Sequence, residues 1–63
     1  MTDRERQYIS TIAQLGSITS AAKELYIAQP SLTQALRRIE GKCGVSLFQR
    51  GKKGLQLTEA GKN

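Results

Sequence analysis

Gln29, Pro30, Thr33 and Gln34 recur at the three- and four-residue spacing that places side chains on one face of a helix, and Arg37 continues the row. Amides, a hydroxyl and a guanidinium in such a row suit hydrogen bonding to an ordered polar surface. A DNA major groove, ~12 Å wide, admits such a helix; glutamine can pair bidentately with adenine, and threonine can meet a base edge or the thymine methyl. Arg37 and Arg38 lie where the helix would pass phosphates or reach guanine. A second basic group, Arg50, Lys52 and Lys53 in "RGKKG", sits on a short glycine-flanked tip that could approach a phosphate backbone or a narrow minor groove. Each feature alone is compatible with an ordinary solvated surface; their combination favours a polyanion.

Other chemistry finds few residues. The chain of 63 residues has no histidine and one cysteine, Cys43, which excludes disulfides within the chain and Ser–His or Cys–His catalysis, and argues against a zinc site. The five carboxylates form no paired acid–base site, so an enzyme is not expected, and no cofactor is expected in this domain. Cys43 follows Leu32, Leu36 and Ile39 at helical spacing and reads as a small core side chain in a reducing compartment. The start "MTDRERQYIS" has no apolar signal region, and no apolar run approaches the ~18 residues of a membrane span. A soluble, cytoplasmic protein without a membrane partner is therefore expected.

Charge is segregated. Residues 1–31 are balanced, whereas residues 32–63 set seven basic side chains against Glu40 and Glu59 and so carry the whole net charge of +5. A basic half of this kind is the electrostatic footprint of a nucleic-acid binder.

The elements that must position these groups are legible in the chain. A first helix begins at Thr2 or Asp3, buries Tyr8, Ile9, Ile12, Ala13 and Leu15, and ends at Gly16. Ser17 caps a second, "ITSAAKELY", whose Ala21 and Ala22 allow close approach of another helix. The third starts near Gln29 with Pro30 in its first turn, packs through Leu32, Leu36 and Ile39, and ends around Gly41 and Gly44. The short connection makes the pair a helix-turn-helix. "VSLFQR" and "LQLT" then read as strands about a "GKKG" turn, and Thr58 as the cap of a further helix. The expected fold is mainly α: a three-helix winged helix-turn-helix with a short two-stranded β-hairpin wing.

The residues "AA" at 21–22, "QPSLT" at 29–33, "LRRIE" at 36–40, "GVSLFQR" at 44–50 and "LQLTEAG" at 55–61 together resemble the N-terminal DNA-binding domain of LysR-type transcriptional regulators, from Tyr8 to Gly61. The resemblance implies a bacterial transcription factor that binds double-stranded DNA. Its third helix would lie in the major groove, reading bases through Gln29, Pro30, Thr33 and Gln34. Ser17, Ser31, Arg37, Arg38, Arg50, Lys52 and Lys53 would serve the DNA backbone and the wing. It also implies a winged domain over residues 1–57, a linker helix starting at residues 58–63 through which such regulators form homodimers or higher oligomers, and a separate C-terminal domain for a small-molecule effector. Three positions depart from the family pattern: Ala28 stands where a capping serine is usual, Gln34 where a basic side chain is frequent, and Cys43 where leucine is usual. The alternative is a winged helix used for protein assembly, which would expose aromatic or aliphatic side chains on the same face. Tyr8, Tyr26 and Phe48 are expected in the core, which also disfavours stacking on single-stranded RNA.

Overall fold

The computed structural model describes residues 2–51 and 54–58. Three helices, α1 (Asp3–Leu15), α2 (Ile18–Glu24) and α3 (Gln29–Cys43), precede an antiparallel hairpin of β1 (Phe48–Gly51) and β2 (Gly54–Leu57). The expected winged helix-turn-helix is the observed one.

Local chemistry sets the boundaries. Thr2 and Glu5 form a reciprocal capping box: Glu5 N–H donates to Thr2 Oγ1 at 3.1 Å, and Thr2 N–H donates to Glu5 Oε1 at 2.9 Å. Gly16 closes α1 in the left-handed conformation at φ 66°, donating its N–H to Ile12 O. Ser17 then caps α2 by accepting Ser20 N–H.

The end of α2 departs from expectation. The helix stops at Glu24, and Tyr26 adopts φ 58°. Its N–H donates to Lys23 O while Ile27 N–H donates to Ala22 O, the paired bonds of a Schellman termination whose left-handed position is normally glycine. The reversal turns Tyr26 outward, and the residue is 94% exposed. Tyr26 is therefore not a core residue, whereas Phe48 is buried and Tyr8 packs half-buried against the core.

The core joins Ile12 of α1, Ala21 and Ala22 of α2, Leu32, Leu36 and Ile39 of α3, and Leu47 and Phe48 leading into the wing. Ala21 and Ala22 are buried, as close crossing by a neighbouring helix requires. Besides Tyr26, two further expected core residues fail to join it. Leu15, at the last position of α1, is 43% exposed, and Cys43 is exposed at the end of α3. The α3 stripe does continue to Cys43, but the groove there is shared with Thr2 and Glu5, the polar first turn of α1. Periodicity points the thiol correctly, into a groove it shares with Ile39 and Lys42 as well, and it stays exposed there. Gly41 lies inside α3; Gly44, at φ 74°, is the residue that ends it.

The expected strand from Val45 is also shorter. Glu40 Oε2 accepts Leu47 N–H at 2.7 Å, which holds residues 45–47 as a loop and leaves Val45 exposed. Pairing starts at Phe48↔Leu57 and runs to Gly51↔Gly54. Thr58 N–H donates to Leu47 O, and its hydroxyl donates to Ser46 O at 2.7 Å. The linker helix expected beyond Thr58 falls on residues 59–63, outside the described residues, as does the Lys52–Lys53 tip.

Candidate nucleic-acid interface

Burying Leu32, Leu36 and Ile39 fixes the rotation of α3, and the opposite side is then open. Gln29, Pro30, Thr33, Gln34 and Arg37 line one shallow surface along it. Thr33 is half-buried and the other four are exposed. The row expected from sequence is thus one continuous surface.

A second depression runs between the start of α2 and the base of the wing, lined among others by Ser17, Thr19, Gln29, Arg50, Gly51 and Gly54. Gln29 belongs to both surfaces, so the first turn of α3 and the wing arginine meet at one place. The wing is held there by Leu55 N–H donating to Gly16 O at 2.9 Å. Gly54, at φ 108°, permits this approach, because a Cβ on it would stand 2.5 Å from that same carbonyl oxygen. Ser17 reaches this depression with its hydroxyl oxygen already accepting Ser20 N–H.

Not every expected contact shares this side. Ser31 and Arg38 line a different groove, between α1 and α3, with Arg4, Tyr8, Ala35 and Lys42. One helical position, ~100°, separates Arg38 from Arg37 and sends it there.

The start of α3 has no side-chain cap at Ala28. Fewer donors are stranded than a missing cap usually leaves. Pro30 has no N–H, and Ser31 N–H donates to Ala28 O at 3.0 Å. The main chain thus takes up that donor.

Electrostatics favour an anionic partner. Among the described residues Lys42 is paired, its Nζ 3.8 Å from Glu5 Oε2, while Arg37, Arg38 and Arg50 make no ion pair. The Glu5 carboxyl is held below the usual glutamate value, first by the Thr2 backbone N–H and, against a smaller opposing effect of burial, by the Lys42 charge. Among the described residues no group of His, Cys, Asp and Glu could hold a metal, and no helix is long and apolar enough to cross a membrane.

Sequence reasoning missed Thr19. Its Oγ1 donates to Gln29 Oε1 at 3.0 Å, across ten positions of sequence. No local pattern announces such a bond, since it depends on how α2 crosses the first turn of α3.

Comparison with known proteins agrees with this architecture. The sequence profile described as "Bacterial regulatory helix-turn-helix protein, lysR family" matches residues 4–62. HTH-type transcriptional regulator BsdA of Bacillus subtilis (strain 168) is 51% identical over 53 residues, which are 84% of this chain and 18% of BsdA. The chain thus spans under a fifth of that relative's length. Among solved structures, the BenM_DBD/benA site 1 DNA complex superposes with a TM-score of 0.89 at 32% identity, covering 98% of this chain and 72% of that one. The CbnR_DBD–DNA complex gives 0.86 at 35% identity, covering 98% and 71%. With the family profile extending over nearly the whole chain and the winged fold in place, this chain belongs to the LysR family of bacterial regulatory helix-turn-helix proteins.

Proposed function

We propose that this chain is the double-stranded-DNA reading head of a bacterial transcriptional regulator. In this reading α3 enters the major groove and presents Gln29, Pro30, Thr33 and Gln34 to base edges. Arg37 follows toward a phosphate, while Ser17, Arg50, Lys52 and Lys53 serve the backbone and the minor groove beside the wing. Ser31 and Arg38, set off toward α1, would meet a phosphate only where the duplex bends round that side. The protein acts in the cytoplasm as a homodimer or higher homo-oligomer, through a linker helix from residues 58–63 onward, with a small-molecule effector bound by a separate domain.

The observation that carries the proposal is the outward surface of α3. It is polar, continuous with the wing through Gln29, and carries Arg37 and Arg50, which make no ion pair among the described residues. The likeness to two domains solved in DNA complexes supports it. Protein assembly would call for an apolar reading surface; the exposed aromatic, Tyr26, lies in the turn before α3 and does not line that surface.

The test is duplex selection from random sequences, followed by binding of variants. Gln29→Ala and Thr33→Ala should relax base preference at one position each, at ~1–3 kcal/mol per lost contact. Arg37→Ala should weaken binding to all duplexes alike and make the salt dependence shallower by about one unit of slope. An unchanged selected sequence after removing both Gln29 and Thr33 side chains would defeat the assignment of the reading surface. Absence of any duplex binding at low salt would defeat DNA binding itself.

A further inference from the structure

Gln29 differs from the other residues of the reading surface in having its amide already engaged. Thr19 Oγ1 lies 3.0 Å from Gln29 Oε1, with the hydroxyl donating and the amide oxygen accepting. Thr19 stands in the first turn of α2, and both residues line the depression beside the wing. A glutamine that pairs bidentately with adenine must accept from N6 with its oxygen and donate to N7 with its nitrogen. Here the oxygen accepts the Thr19 hydroxyl proton on one of its two lone pairs and is drawn toward α2, which leaves the amide nitrogen, with two N–H donors, as the end of the amide not held by Thr19.

We propose that Thr19 is a specificity-determining residue that fixes Gln29 as a hydrogen-bond donor. An amide held this way suits a base edge offering acceptors, such as N7 and O6 of guanine, over one that also demands an acceptor, such as adenine. The inference rests on the DNA-reading function and adds which base edge Gln29 favours and what sets that choice. Thr19 acts through Gln29 and needs no base contact of its own. The anchoring also removes rotamer freedom from an exposed, long side chain before DNA arrives, so less ordering is left to binding.

The experiment uses the 63-residue chain and duplexes differing at one base pair. That pair is identified as the one whose preference disappears in Gln29→Ala. Wild type should bind guanine there at least about fivefold more tightly than adenine, the ratio that corresponds to the ~1 kcal/mol lower bound for a good contact. Thr19→Val, close in shape but without the hydroxyl, should lose that ratio and gain on adenine, and Thr19→Ser should restore it. A Thr19→Val protein with the wild-type ratio would overturn the proposal. So would an equal loss of affinity on all four bases, which marks a merely structural role, or a wild-type preference for adenine at that pair. If wild type selects no duplex, the DNA-reading function fails, and this inference with it; if it selects one and only the ratio fails to move, the DNA-reading function stands and Thr19 does not set it.

Discussion

Gly54→Ala should release the wing from the helical core. Gly54 sits at φ 108°, outside the small left-handed well that L residues visit, and an added Cβ would stand 2.5 Å from the Gly16 carbonyl oxygen. That oxygen belongs to the main chain and accepts Leu55 N–H, so it cannot move aside without losing the bond. Positive φ with a side chain costs about 1–2 kcal/mol. Losing the Leu55 bond adds about 0.5–1.5 kcal/mol. The expected loss is about 1.5–3.5 kcal/mol, a large part of the roughly 3–9 kcal/mol that 0.05–0.15 kcal/mol per residue gives a chain of this size. A midpoint lowered by about 6–28 °C in thermal unfolding follows, at about 4–8 °C per kcal/mol. If the hairpin instead detaches while the helices persist, faster hydrogen exchange at the Leu55 amide will show it. Gly51→Ala is the control. Its Cβ would meet the Gln56 side chain, 2.7 Å away at Cδ, which is exposed and can swing clear, and Gly51 has no positive φ. A Gly54→Ala protein with unchanged melting and unchanged Leu55 exchange would refute the docking, and equal damage from Gly51→Ala would show that the hairpin's own pairing matters instead.

Other expectations are briefer. Glu40→Ala removes the carboxylate that holds Leu47 N–H at 2.7 Å and should destabilise by about 1.5–3 kcal/mol, the range for bonds to charged groups, read from urea unfolding. Tyr26→Gly relieves about 1–2 kcal/mol of left-handed strain and gives back about 0.5–1 kcal/mol through the freer unfolded chain, so melting should be unchanged or higher by a few degrees; a clear drop would mean that the tyrosine ring packs favourably. Because the Glu5 carboxyl is held below its usual value, its contribution to stability is present above the unfolded-state pKa and disappears as pH falls through the lower folded value. Urea titrations from about pH 7 down to about pH 3 should therefore show wild type and Glu5→Gln converging at the acid end.

The amino-acid sequence determined the helices, the placement of the two-stranded wing and the direction in which the reading row points. Ser17, Gly16 and Pro30 act on neighbours within a turn, and the stripe of Leu32, Leu36 and Ile39 leaves Gln29, Thr33 and Gln34 on the far side by helical geometry alone. Tertiary structure decided what each direction meets. Cys43 and Leu32 share a stripe, yet Leu32 meets the core and Cys43 meets the polar first turn of α1. Arg37 and Arg38 are adjacent in sequence and open onto different grooves. Tyr26 looks apolar enough to bury, but the main-chain bonds that end α2 turn it outward. The bonds from Thr19 to Gln29 and from Glu40 to Leu47 join residues ten and seven positions apart. Periodicity is a property of one helix and fixes an angle about its axis. The identity of the partner at that angle depends on where the other helices cross and end, and only the folded packing supplies that.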